Sequence, residues 1–370
     1  MVDIAGRNLL EEKLRFIISS GGVALAIMLI LILNGFFAGM NRQVSAYLDN
    51  TTADLVVSQK KVKNFLGTNS RVPLSAISKL ESIKGVEKVV PLFSTYAVLA
   101  PEGRREFSLI IGFDPLKGGG PWRLTAGTSD INDDQVIVDK VIADRHGFKL
   151  GEKINILGKD FTITALSTGT SSWMTGTFFI TFDAASRLLS AKDTAAFLLV
   201  TIKDKAKIND VKQEISGNLE DLTVTEKHER SANDVALYAS VFNGPLRLMV
   251  IIAFLIGVML VGATIYTATI ERAREYGVLK AIGIKNHSLY LVVFEQALLA
   301  SLAGFVSGVG LSYVAIFIIN NLLPQFLILI EPVYVAEVFV VSLLISILAS
   351  YIPVRTIAAI DPAIAFRRGA

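Results

Sequence analysis

The chain has 370 residues, 52% of them hydrophobic, a mean hydropathy of +0.53, no cysteine and a formal net charge of +3. That apolar share exceeds what a soluble chain of this length usually carries, and so small a net charge does not point to nucleic acid, so the distribution of charge matters more than its sum. The missing cysteines exclude disulfides, thiol catalysis and iron–sulfur ligation, so an exported part would have to be stable from its core alone, which suits a bacterial envelope.

Taken in order, residues 1–15 are predicted to form an amphipathic helix lying on the membrane. Ile4, Leu9, Leu10 and Leu14 share one face, with Arg7, Glu11 and Arg15 elsewhere. Residues 16–40 follow as a first membrane helix with no charge between Arg15 and Arg42. A cleaved signal peptide is the competing reading. Against it stand Asp3, Glu11 and Glu12 ahead of the run, the length of the run, and the lack of a good small-residue cleavage site.

Residues 41–244 are expected to form a folded α+β domain. Short alternating or β-branched runs recur at 53–58, 86–100, 107–113, 135–139, 154–157, 161–166, 178–182 and 196–202. Helices are predicted from Pro73 to Ile83, with the proline in the first turn, from Ala184 to Ala191, and from Ile208 to Leu219. Leu157 to Phe161 reads as a hairpin turn, and Gly118 to Pro121 as a turn or flexible loop.

Three more membrane helices are predicted at 245–270, 288–323 and 333–354, joined by a 271–287 connection and a 324–332 loop, with a tail over 355–370. Each apolar stretch reaches the roughly 20 residues that a helix needs to cross about 30 Å of hydrocarbon. The fold class is therefore a membrane protein with four transmembrane helices, one plus three, and an α+β domain inserted between the first and second. Basic residues group at Arg7, Lys13 and Arg15, at Arg272, Arg274, Lys280 and Lys285, and at Arg355, Arg367 and Arg368, while 324–332 carries none. The positive-inside rule then puts both termini and the 271–287 connection in the cytoplasm and residues 41–244 outside.

No catalytic, metal or cofactor constellation stands out. His146, His228 and His287 are far apart in sequence, and no phosphate-binding loop occurs. Nucleotide-driven work would have to come from another chain. The most informative stretch is the 271–287 connection. Glu271, Arg272, Arg274 and Glu275 are expected to extend the second membrane helix as a charged stalk. Tyr276, Val278, Leu279 and Ile282 offer apolar side chains to a partner, and Gly283 offers a left-handed helix stop. An ordinary helix hairpin with a basic loop fits the same charges.

The order Glu271-Arg272, Arg274-Glu275, Leu279-Lys280-Ala281-Ile282-Gly283 resembles the signature of the FtsX-like permease family. Glu295, Gly304 and Gly308 in the next helix also fit, as does a C-terminal pattern of Pro353 leaving the last helix, Arg355, Asp361-Pro362 and Arg367. The one-plus-three layout with a large outer domain is similar to the MacB-like branch, which includes lipoprotein-releasing and DevC-like permeases. The resemblance implies a permease homodimer bound to two copies of an ABC ATPase subunit, which would hold the ATP and Mg. It implies mechanotransmission, in which ATPase closure moves long helices that work the outer domain, here the second helix and the Asn41–Leu48 extension of the first. The resemblance further implies extrusion, or outer-leaflet or periplasmic handling, of a hydrophobic or amphipathic substrate, and leaves room for a periplasmic adaptor protein. A non-transporting regulator acting on a cell-wall hydrolase is the alternative of the same architecture. A sensor without an ATPase would leave the Glu271–Gly283 motif unexplained.

Other residues carry open readings. Gly35 and Gly39, with Gly304 and Gly308, are small-residue pairs suited to close packing, either at a dimer contact or within one subunit. Glu295 is an intramembrane acid, functional by default, or structural if paired with Arg272, Arg274 or a C-terminal arginine. Trp122, Trp173, Met174 and Phe178 are candidate contacts for a greasy substrate or an adaptor, or ordinary core and loop residues.

Overall fold

The computed structural model describes residues 13–99 and 105–359. The amphipathic helix expected over 1–15 therefore lies outside the described residues except for its last three positions, and Asp361, Pro362 and Arg367 lie outside them as well. The chain divides into two compact units.

The first unit is helical and contains the four apolar stretches. They fall in α1 (Lys13–Asn50), α6 (Lys227–Glu271), α8 (Asn286–Leu322) and α9 (Pro332–Ala359), each long and apolar enough to cross a membrane. A dry core of Val23, Ile27, Leu31, Val261, Val293 and Ile345 joins all four. Small residues let the helices approach where bulk would hold them apart. A methyl group on Gly304 would stand 2.7 Å from the Ser20 carbonyl, and one on Gly308 2.7 Å from the Ala24 carbonyl, so α8 lies directly on α1. Ser342, Ser346 and Ser350 repeat every four residues along the buried side of α9, and each satisfies its hydroxyl by donating to a carbonyl of the preceding turn.

Pro353 does not end the last helix. It is buried within α9, which continues to Ala359. The ring removes the N–H that would bond the Ala349 carbonyl, and the backbone near Gly262 of α6 lies beside that freed oxygen. Nor is the α6 helix extended unbroken through Glu275: Arg272 (φ −93°, ψ 11°) interrupts it, and a separate helix, α7 (Ala273–Ala281), follows.

The second unit spans 39–241 and 323–327 and is built on a ten-stranded mixed sheet. Its strands are β1 (Leu55–Gln59), β3 (Val86–Leu99), β4 (Glu106–Phe113), β5 (Leu124–Ala126), β6 (Gln135–Asp139), β7 (Lys153–Ile156), β8 (Lys159–Ser167), β9 (Gly176–Thr181), β11 (Phe197–Ile202) and β12 (Leu222–Glu226). They run in the order β12-β1-β11-β3-β4-β9-β6-β8-β5, with β7 paired to β8. The long strand β3 joins two halves: Val86–Leu92 pairs with β11, and Phe93–Leu99 pairs with β4. On the first half, α2 (Ser75–Glu81) and α5 (Ile208–Asn218) press Ala76, Leu80, Val211 and Ile215 onto Leu55, Val57, Val89 and Leu198. The second half carries α3 (Lys140–His146) and α4 (Phe182–Leu188), whose N-caps Asp139 and Thr181 end the preceding strands and accept from Val141 and Ala184.

Pro73 is not in the first turn of a helix. It belongs to β2 (Val72–Pro73), which pairs with β10 (Thr194–Ala195), and the helix starts two residues later. Its fixed φ suits this short edge pairing, where no N–H is needed. The β7–β8 turn has positive φ at both Leu157 (51°) and Gly158 (89°), the type I′ geometry whose twist matches the two strands.

Candidate partner-docking site

The connection between α6 and α8 is built by helix termination. Gly283 has φ +94°, a conformation that costs glycine nothing. It allows Gly283 N–H to donate to Lys280 O (3.0 Å) and Ile284 N–H to reach back to Leu279 O (3.0 Å). These are the two bonds of a Schellman stop. The ending leaves α7 with a seated side and an open side.

On the seated side Tyr276 is 6% exposed, Gly277 is buried and Leu279 packs against the membrane-helix core. Lys280 Nζ donates to the carbonyls of Ile357 (2.6 Å) and Ala358 (3.1 Å), tying α7 to the last described turn of α9. On the open side Ile282 is 71% exposed, with Val278 and Ile284 less so, and Arg274, Glu275, Ala281 and Lys285 surround them. Tyr276 is thus a core residue rather than a partner contact. Glu271 forms an ion pair with Arg15 of α1 at 2.7 Å, and Arg272 turns toward a cavity of about 30 Å³ that it shares with Arg15, Ser19, Thr264 and Gln296. That space is large enough for a water molecule.

Glu295 is half-buried beside the buried Gln296, and among the described residues it forms no ion pair; Arg15 pairs with Glu271 instead. The four glycines all meet this same chain. Gly304 and Gly308 receive α1, Gly35 lies against Ile328 and accepts from Leu329 N–H through its carbonyl (3.0 Å), and Gly39 is crossed by the Leu327 backbone.

In the sheet-bearing unit, the 168–175 loop is held by side chains. The Asp139 carboxylate, fully buried, accepts from Thr170 N–H, Ser171 N–H and the Thr170 hydroxyl. Trp173 N–H donates to Gln43 Oε1 (3.2 Å), and Gln43 Nε2 donates to Gln325 O (2.9 Å), so one amide on α1 bridges two loops. Met174 is exposed at the loop's tip, and Trp173 is half-buried. Phe178 is 0% exposed in the middle of β9, between β4 and β6, so it fills the sheet core and does not present a contact surface. Trp122 is half-buried with its ring edge-on to Tyr47.

Sequence reasoning passed over Arg230 and Asp234, at the start of α6 ahead of its apolar stretch. Both are buried, and both bond the 58–66 segment. Their i,i+4 spacing was the only signal, and a solvated surface pair shows the same spacing.

Two family models match the chain: the MacB-like periplasmic core domain over residues 16–217, and the FtsX-like permease C-terminal domain over residues 247–362. "Putative hemin transport system permease protein HrtB" of Staphylococcus epidermidis is 23% identical over 326 residues, 87% of each chain. An uncharacterized ABC transporter permease of Mycobacterium tuberculosis is 23% identical over 368 residues, 99% of each chain. The periplasmic region of MacB from Actinobacillus actinomycetemcomitans is 11% identical, with a TM-score of 0.39, covering 48% of this chain and 90% of that one.

Proposed function

The chain belongs to the MacB-like and FtsX-like family of ABC transporter permeases, and on that premise we propose that it couples ATP hydrolysis in a separate ATPase subunit to work done by its 41–244 domain outside the membrane. The observation that carries this reading is the two-sided α7. A helix anchored by Tyr276, Leu279 and Lys280, with Ile282, Val278 and Ile284 left open, is suited to receive a partner on one side and pass its movement to the bundle on the other. Small exposed apolar sets rimmed by charge are what protein partners bury.

In this reading both termini and the 271–287 connection face the cytoplasm, in keeping with Arg15, Arg272, Arg274, Lys280 and Lys285 clustering there. The permease works as a homodimer with two ATPase copies, which bind ATP and Mg. Movement travels by mechanotransmission along α1 and α6, each of which continues past its apolar stretch on the outer side. The substrate is hydrophobic or amphipathic and is taken from the outer leaflet or the periplasmic face. A relative named for hemin transport supports that class. The exposed Met174 beside Trp173 is a contact point for such a substrate or for an adaptor protein.

The test is reconstitution with the co-purifying ATPase in proteoliposomes carrying an amphipathic fluorescent dye. ATP-dependent, vanadate-sensitive extraction of dye supports the exporter. Hydrolysis that moves no dye and instead activates a cell-wall hydrolase would replace it with the regulator reading.

A further inference from the structure

Arg230 is the largest side chain buried completely among the described residues, at 0% exposure, and it sits in the first turn of α6. Its guanidinium uses its donors on four partners outside the helix: Nε to Thr225 Oγ1 (2.7 Å), one terminal nitrogen to Asn64 O (3.2 Å), and the other to Ser58 Oγ (2.8 Å) and Val62 O (3.2 Å). Its plane lies 5.4 Å from the Phe197 ring. One turn later Asp234, 1% exposed, accepts from Phe65 N–H (2.9 Å) and Leu66 N–H (3.2 Å). The whole irregular segment after β1 is thus wrapped on the root of α6 by two charged residues.

The wrapping reaches further. Phe65, positioned by Asp234, stacks on Tyr47 of α1 at 5.1 Å and 7°, and packs 4.8 Å from Phe197 of β11. Ser231 donates to Asp49, near the outer end of α1, at 3.2 Å. Burying two charges is costly, and apolar packing could hold a helix end at less expense. What directional hydrogen bonds add is a fixed geometry. Burial raises the Asp234 carboxyl to about 6 despite its backbone donors and Arg230, and burial lowers Arg230 to about 10, as expected where solvent is excluded.

We propose that Arg230 and Asp234 are positioning residues that lock the outer ends of α1 and α6 and strands β1 and β11 into one block, so that helix movement is delivered to the outer domain instead of being lost in a pliable joint. This rests on the mechanotransmission reading. The experiment places a spin label at Leu116, an exposed loop residue, through Leu116→Cys in this cysteine-free chain, and uses the full permease–ATPase complex in nanodiscs. Pulsed electron resonance then reads the distance between labels on two copies before and after vanadate trapping. The parent complex is expected to shift. Arg230→Met and Asp234→Ala are expected to keep ATP turnover and lose most of the shift, while Asp234→Asn, which retains the acceptor oxygen for Phe65 and Leu66, keeps it. Limited proteolysis confirms that the outer domain is folded, and if Arg230→Met fails there, the Asp234 pair decides. A full shift in Asp234→Ala, or equal loss in Asp234→Ala and Asp234→Asn, overturns the proposal while leaving mechanotransmission standing. No shift in the parent complex removes mechanotransmission and the proposal with it.

Discussion

Gly283 and Asp234 show how much can hang on one residue. Replacing Gly283 by alanine puts a Cβ into a left-handed conformation, at a cost of roughly 1–2 kcal/mol for an L-residue. The Schellman bonds from Gly283 and Ile284 then compete with that strain. Gly283→Ala is expected to fold yet to retain less ATPase on purification, measured as ATPase-to-permease ratio; an undiminished ratio would show that the stop does not set the docking geometry. Asp234 makes a prediction of opposite pH sign to the usual carboxylate. Its pKa rises from 3.8 to about 6 on folding, so between those values the folded state binds the proton more readily than the unfolded one. Stability from this group is therefore greatest at low pH and is lost as pH rises through about 6. Arg230 is the nearby opposite charge, and Tyr96 is the nearby group whose hydroxyl the ionised Asp234 makes harder to ionise. Asp234→Asn should gain thermal stability relative to wild type at pH 7 compared with pH 5, and a difference that does not change with pH would contradict the shift.

At the scale of elements, the close helix crossings carry the clearest prediction. Leucine at Gly304 or Gly308 has to displace α1 from α8, and overpacking of this kind costs about 1–3 kcal/mol. Gly304→Leu and Gly308→Leu are expected to lower the unfolding midpoint in detergent, whereas Leu at Gly310, which has open space around it, should leave the midpoint unchanged. Equal effects at all three positions would mean that the crossings are not limiting. Most of these elements could be read from the sequence because period-two and twenty-residue apolar patterns are direct consequences of burial. The membrane helices, the long β3 and the α5 face with Val211 and Ile215 were legible for that reason. β2 and β10, two residues each, carry no period, and β12 alternates Leu, Thr, Val and Thr too briefly to stand out. Of the site, the Gly283 stop was legible from its residue type. The inward turn of Tyr276, the burial of Phe178 and the role of Arg230 were not, because each depends on which neighbour the fold supplies, and a charged residue in sequence reads as solvated.

For the whole molecule, the account makes a claim about sides and a claim about a partner. With no cysteine in the chain, single substitutions report topology without background labelling. Lys285→Cys is expected to react with a membrane-impermeant maleimide only from the cytoplasmic face, and Leu116→Cys only from the outer face; labelling of both from one side would contradict the one-plus-three orientation. The central claim is that α7 receives an ATPase through Ile282 and Val278. It is tested most directly by purifying wild type and Val278→Asp/Ile282→Asp from membranes and assaying vanadate-sensitive ATPase in the eluate. Both side chains are solvent-facing, so the charges leave the core of the bundle intact. The account predicts activity with wild type and its loss with the folded variant. Equal activity in both would place the docking surface elsewhere, and no activity with intact wild type would contradict the coupling of this permease to an ATPase.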